Sequence, residues 1–318
     1  MKFRDLAKAL ASTVILASAS IAQAQDWQPG GPIKMMIAFQ PGGGVDTMGR
    51  LLAEELGTRQ GWEIIPENLA GKGGATMANA LKDEPNDGLS IGISIAEAFT
   101  YTIQASRDPG YERDDFDYIS ILTGSQMGIV SKTDRGWATL DDVLADMKTG
   151  TSVSFGAMTQ KLADVAYLIG EKNGVEFTIV MVKGGKGGMN GVVADDIDIA
   201  WAAGVQAEAV RSGDLVNLVS AEDAPLKLSP DAPMLADFGV PYALGSKFVV
   251  VAPAGLPDDV KQSYMTAIAD ILNDPDSKVN AFVTKLFSGP EVVQGDEFRA
   301  FIDRSHDAEA ALLAETSN

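Results

Sequence analysis

Cysteine is absent from the 318 residues, and histidine occurs once, at His306. The first absence excludes disulfides, thiolate metal sites, thiol catalysis and a cysteine-linked lipid anchor. With one histidine and no thiol, the side chains that most often carry nucleophilic and acid–base catalysis are nearly missing, so no catalytic residue is assigned. Basic residues are also scarce: 25 Lys and Arg stand against 44 Asp and Glu, a formal net charge of −19. Nucleic acid and anionic membrane surfaces are poor partners for such a body. A small anion meets the same repulsion until salt screens it beyond ~10 Å, so any anion site has to be built locally. No metal site or cofactor is expected, since acidic clusters such as Asp195-Asp196-Ile197-Asp198 read as a turn and a strand edge. A membrane-spanning run is missing too: residues 9–21 are mostly apolar but short, and Ser12, Thr13, Ser18 and Ser20 interrupt them.

That run has the form of an export signal. Lys2, Arg4 and Lys8 precede it, diluted by Asp5, and Ala22-Gln23-Ala24 is a small-residue cleavage box. Residues 1–24 are therefore expected to be a signal peptide cut after Ala24, which sends the rest to the periplasm; an uncleaved anchor is the alternative. What remains is 46% hydrophobic over the whole chain and longer than one core usually grows, so two α/β lobes are expected.

Residues 33–39 are apolar apart from Lys34, as in a strand covered on both faces. Val45, Met48, Leu51, Leu52 and Leu56 then share one helical stripe, with Arg50 and Glu54 paired outside it. Further strands are expected at 63–65, 90–95, 117–123, 127–131, 151–155, 177–182, 197–201, 215–219 and 247–251. Helices are expected from Gly74, over 160–171, near 189–194 and over 206–211, and the chain after Leu256 reads as mainly helical with breaks at Pro275 and Gly289-Pro290. Thr139 and Asp142 suggest a capped helix start. Repeated βαβ units imply parallel sheets with helices on both faces. The two lobes are expected to comprise 25–126 with 247–318, and 127–246, and to meet at a crevice beyond the strands' carboxyl ends.

Glycine gathers where strands give way to helices: Gly42-Gly43-Gly44, Gly71-Lys72-Gly73-Gly74 and Gly184-Gly185-Lys186-Gly187-Gly188. Such turns let a ligand approach main-chain amides, and the unpaired N–H groups of a helix start attract an anion. Taken singly each is a tight turn; three in the same setting suggest a receptor for a carboxylate. Nucleotide motifs fail: Gly71-Lys72 is followed by glycine where a Walker loop needs Ser or Thr, and residues 42–46 lack the third glycine of a dinucleotide fingerprint. Asp46 either caps the helix start or accepts a hydrogen bond from a ligand hydroxyl, ammonium or ordered water. A serine hydrolase is the alternative from another class, because Gly92-Ile93-Ser94-Ile95-Ala96 resembles a nucleophile elbow and His306 lies downstream. Against it, Ser94 sits inside a strand pattern and His306 on a helical one.

In order along the chain, residues 33–39 plus Pro41-Gly42-Gly43-Gly44-Val45-Asp46, then Glu67-Asn68-Leu69-Ala70-Gly71-Lys72-Gly73-Gly74, Pro85-Asn86-Asp87-Gly88, Lys183-Gly184-Gly185 and the segment 248–255 resemble the receptors of tripartite tricarboxylate transporters (the TctC or Bug solute-binding proteins). The resemblance covers nearly the whole chain after the leader. It implies a two-lobed periplasmic-binding-protein fold, a Venus flytrap of type II-like build, that closes on a small organic acid and delivers it, as a monomer, to membrane permease subunits. It also implies one carboxylate held by helix-start amides at Gly43, Gly44, Gly73 and Gly74, with Asp46 orienting a neighbouring hydroxyl or water. Ala96, Glu97 and Ala98, with Ala157, Met158 and Thr159 and with Lys183, Gly184 and Gly185 of the second lobe, would close over the rest. Leu69-Ala70 and Lys72 depart from the family pattern; Lys72 either bonds the ligand carboxylate or is a solvated loop lysine. Phe39, Met158 and Trp201 are candidates for an apolar wall, unless the aromatics are core. A ligand-sensing subunit of a signalling system is equally compatible with these residues.

Overall fold

The missing polar face of residues 33–39 has a direct cause in the computed structural model, which describes residues 27–316. In β1 (Ile33–Ile37), Ile33, Met35 and Ile37 pack into one apolar cluster while Met36 joins Ala38 in another on the opposite face. Helix α1 (Gly44–Gln60) covers the first face through Met48, Leu52 and Leu56, and α2 (Ala75–Leu81) covers the second through Met77, Ala78 and Leu81. Between these helices runs β2 (Ile64–Asn68), an edge strand that contains Pro66, where a missing N–H does no harm. β3 (Ser90–Ile95) turns tightly at Ala96–Phe99 into α3 (Tyr101–Ala105). The expected export signal lies outside the described residues.

β4 (Phe116–Gly124) carries the chain to the second lobe, which opens with β5 (Gly128–Lys132). There follow α4 (Leu140–Lys148), β6 (Ser154–Ala157), α5 (Gln160–Asn173), β7 (Thr178–Met181), α6 (Gly184–Val193), β8 (Ile199–Ala202), α7 (Ala207–Ser212) and β9 (Leu215–Ser220). The return passes through β10 (Lys247–Pro253), α8 (Asp258–Asn273), α9 (Lys278–Leu286), β11 (Pro290–Gln294) and α10 (Gly295–Thr316). The first sheet has the order β11-β4-β10-β3-β1-β2 and the second β7-β6-β8-β5-β9.

The sheets are mixed rather than parallel. β1 is parallel to β2 and β3, and β6 to β7 and β8, as βαβ units require. The strands by which the chain enters a lobe from the other run the opposite way: β10 is antiparallel to β3 and β4, and β5 to β8 and β9. Two further differences have local causes. β11 occupies the region read as a helix break, because its start at Pro290 suits an outer strand. α6 begins five residues before the expected 189, inside the glycine run. Glycine costs about 1 kcal/mol in a helix interior, but here it permits close packing on β8: a β-carbon on Gly188 would stand 3.2 Å from that of Ala200, and one on Gly191 only 2.7 Å from Ile197 Cδ1. The Thr139–Asp142 cap forms as expected, each end satisfying the other.

Two crossings join the lobes, and they are bonded to each other. Ser125 N–H donates to the Ser246 carbonyl at 2.9 Å, and Ser246 N–H to Ser125 Oγ at 2.8 Å. The Glu222 carboxylate accepts from Ser125 Oγ and from Met127 N–H at 3.0 and 2.5 Å. α10 straps the outside, with Phe298 and Ile302 in a first-lobe cluster and Leu312 in the second-lobe core.

Glu222→Ala leaves the buried Met127 N–H without its acceptor. A loss of about 1–3 kcal/mol is expected, read as a lower urea midpoint.

Candidate functional site

Three helices point their amino ends at one cavity between the lobes. α1 starts after Gly43, α5 after Thr159 and α6 after Lys183, and each of these three residues lines the cavity. It spans roughly 730 Å³, part of it open to solvent, and adjoins a wider outer cleft of roughly 1710 Å³ that shares Phe39, Gln40, Met158, Thr159, Lys183 and Gly184. First-turn amides of a helix lack intrahelical partners and sit at the positive end of its dipole.

The first turn is held by Asp46. Its carboxylate accepts from Gly42 N–H at 2.7 Å, from Arg50 Nε at 2.9 Å and from Asn68 Nδ2 at 2.8 Å. Asn68 Nδ2 also donates to the Phe39 carbonyl at 2.8 Å, so β2 and α1 together clamp residues 39–42. Asp46 is buried, fully engaged and absent from the cavity wall. It shapes the turn and does not line the cavity. Above the turn, Phe248 and Phe287 meet edge to face with ring centres 4.8 Å apart, and a β-carbon on Gly44 would lie 3.0 Å from Phe287 Cζ. Only glycine lets the helix start sit so close beneath the rings.

The second glycine turn is displaced from the inner cavity. Gly71, Lys72, Gly73 and Gly74 all have positive φ, and this turn faces the outer cleft through Gly71, Lys72 and Gly73. Gly74 has left the wall: its N–H donates to the Gly71 carbonyl at 3.0 Å and it packs beside Ser94 and Ala98. The two first-lobe turns expected to share one spot thus face different spaces, and the inner cavity meets α1 together with two second-lobe helix starts.

Other expected site residues divide in the same way. Phe39, Gly43, Gly44, Glu97, Met158, Thr159, Lys183 and Gly184 line the inner cavity, and Lys72 and Gly73 the outer cleft. Ala98, Ala157 and Trp201 do not line either. Ala98 and Ala157 are core, and Trp201 stacks on Phe155 with ring centres 5.2 Å apart while its Nε1 donates to the Leu162 carbonyl at 2.8 Å. An inward strand position in a sheet covered by helices points to the core, which the sequence alone does not reveal.

Charge at the cavity is unusual for so acidic a chain. Most basic side chains pair with carboxylates, but among the described residues Lys183 and Lys186 of the inner cavity and Lys72 and Arg107 of the outer cleft form no ion pair with a carboxylate. Lys186 was not singled out by sequence as a contact. Its Nζ lies 3.1 Å from where a β-carbon on Gly42 would stand, so a second-lobe cation reaches the first-lobe turn. Gln40, Val205, Ser246, Phe248 and Phe287 were missed as well; no local sequence signal brings them together.

At the inner end sits Glu97, 4% exposed. Burial pushes its carboxyl above the usual range, against the pull of Lys161 and a hydrogen bond with Thr159. Lys161 is itself buried and paired with Glu309 of α10; burial lowers it, yet Glu309 and Glu97 outweigh that and hold it raised. The same Thr159 hydroxyl caps α5 by accepting from Leu162 N–H at 3.4 Å.

The hydrolase alternative lacks its geometry. Ser94 is fully buried within β3 rather than on a sharp turn, and its Oγ has no hydrogen-bond partner. His306 lies on α10 beside Asp307, at 3.4 Å. Among the described residues no group of three or more His, Asp or Glu side chains is arranged for a metal ion, and no helix is long and apolar enough to cross a membrane.

Comparison with known proteins follows this geometry. The sequence model of the family described as "Tripartite tricarboxylate transporter family receptor" matches residues 48–315. The chain is 26% identical over 325 residues to protein BugT of Bordetella pertussis, covering 95% of each. It is also 26% identical over 281 residues to a UPF0065 protein of Agrobacterium vitis encoded in the TAR-I ttuE-ttuC' intergenic region, covering 86% of this chain and 80% of that one. Among solved structures, the periplasmic binding protein BugD superposes with a TM-score of 0.81 at 22% identity, over 91% of this chain and 99% of that one. MatC of Rhodopseudomonas palustris with bound malate superposes with a TM-score of 0.75 at 21% identity, over 88% and 99%. These likenesses show a two-lobed periplasmic-binding-protein fold.

Gly74→Ala would put a β-carbon 2.8 Å from that of Ala98 and 2.9 Å from Ser94 Oγ, at a φ of +103°. Overpacking of this kind costs about 1–3 kcal/mol, which chemical denaturation should record as a lower midpoint.

Proposed function

The chain belongs to the tripartite tricarboxylate transporter receptor family, and from that premise we propose that it is an exported periplasmic receptor, cut after Ala24, that captures a small organic acid between its lobes. It hands the acid to the membrane permease subunits of a tripartite transporter and does no chemistry on it. The observation that carries this reading is the meeting of three helix amino ends with Lys183 and Lys186 around one cavity of a chain whose net charge is −19. One helix end contributes about 0.3–1 kcal/mol when exposed and ~2 when partly buried, so three, with two cations, make a strong local receptor without changing the overall charge. Relatives described with bound malate and with adipate support a carboxylate as the anion.

In this reading Gly43, Gly44, Gly184 and Gly185 present main-chain N–H groups to the carboxylate, Lys186 adds a charge-assisted bond, and Phe39, Met158, Phe248 and Phe287 exclude water. Lys72 and Gly73 guard the outer cleft. Capture works by population shift. The acid touches both lobes only when they are closed, so it favours that state by its differential contacts, and about 5.5 kcal/mol of difference turns a 1:99 balance into 99:1.

Thermal-shift screening of organic acids on the exported chain tests the proposal. A true ligand at ~100 times its Kd adds about 2.7 kcal/mol, and silence towards every carboxylate would defeat it. Lys186→Met is expected to weaken the best acid about 10- to 100-fold, the worth of one charged hydrogen bond, by isothermal titration calorimetry.

A further inference from the structure

The inner end of the cavity holds two polar atoms that the chain itself does not use. Glu97 Oε1 and Ser246 Oγ are buried, and neither makes a hydrogen bond within the protein. Glu97 is 4% exposed and Ser246 9%, and both line the cavity. The same wall includes the apolar Ile95, Met127, Leu162, Phe248 and Phe287, and both residues also line a second cavity with Lys161 and Glu309. A buried polar atom left unbonded is costly, and native chains seldom carry two at one spot without a use.

We propose that Glu97, assisted by the Ser246 hydroxyl, is the specificity-determining group of the site, and that it selects organic acids bearing a hydrogen-bond donor, a hydroxyl or an ammonium group, at the end remote from their bound carboxylate. The proposal rests on the receptor reading above and names the ligand class for that site. Its electrostatic basis is the company Glu97 keeps. Lys161, the buried cation beside it, is already paired with Glu309 and does not satisfy Glu97 Oε1. Thr159 supplies one hydrogen bond to Glu97, and Oε1 remains for another donor. Away from Glu97 stand Lys183, Lys186 and the starts of α1 and α6. The cavity is thus polarised: a carboxylate fits by the glycine turns of α1 and α6, a donor fits by Glu97 Oε1, and a second carboxylate in that place brings no donor to it. Sites built to bond a ligand OH or NH reject the analogue that lacks it more strongly than apolar pockets reject an added group.

The test is calorimetric titration of the exported chain with straight-chain acids of matched length whose far end is methyl, carboxylate, hydroxyl or ammonium. At the best length, the hydroxyl or ammonium acid is expected to bind at least about tenfold tighter than both the methyl and the carboxylate acid. Glu97→Gln should erase a preference for ammonium and keep one for hydroxyl, since the amide oxygen still accepts. Glu97→Leu should erase both, so that on this variant the hydroxyl and ammonium acids bind no tighter than the methyl acid, whereas a merely structural role would weaken all the acids by one factor and keep the preference. Donor-free acids binding the wild type as tightly as donor-bearing ones at every length would overturn the proposal and leave the receptor reading standing. A donor preference that survives Glu97→Leu would overturn the assignment to Glu97. Binding of no acid at all would defeat the receptor reading, and this one with it.

Discussion

An acidic body can hold an anion only where positive potential is collected locally and sheltered from the chain's own carboxylates. Main-chain N–H groups at helix starts meet that need because they carry no counter-charge and cannot be neutralised by a neighbouring acid. Here three such starts face one cavity, and among the described residues the lysines beside them, Lys183 and Lys186, form no ion pair with a carboxylate. The rest of the architecture can be read as what brings those starts together and keeps them there.

Each start is fixed by a different device. In the first lobe Asp46 spends all its acceptor capacity on its own turn, with Asn68 bridging to β2. α5 is capped by Thr159, whose hydroxyl also reaches Glu97 in the other lobe. α6 is pressed onto β8 through glycines, which lets its amino end reach the cleft with no side chains in the way. Hydrogen bonds among Ser125, Ser246 and Glu222 tie together the two crossings between the lobes. Lys186, crossing to Gly42, shows how closely the two lobes share the cavity.

Much of the fold was legible in residue order. The uninterrupted apolar strand at 33–37, the helical stripe of Met48, Leu52 and Leu56, and the Thr139–Asp142 cap all act locally, and local patterning reports them. The antiparallel β5 and β10 were not legible, because direction is set by where the chain crosses between lobes and not by the strand's own residues. The start of α6 was misplaced for a related reason: glycine's poor helix propensity is visible in sequence, while the close packing that outweighs it is not.

The candidate site divides along the same line. The sequence by itself determined that an anion would have to be met by glycine turns at helix starts, since composition left no cysteine, one histidine and a surplus of acid. It also determined which turns were available. Only the tertiary structure decided that Gly74, Ala98, Ala157 and Trp201 turn into the core, that Asp46 serves its own loop, and that Phe287 and Lys186 arrive from distant elements to complete the cavity. The physical reason is that hydrogen-bonding and helix-forming tendencies are properties of neighbours along the chain, whereas a cavity is the space left between faces that meet only when both lobes have folded.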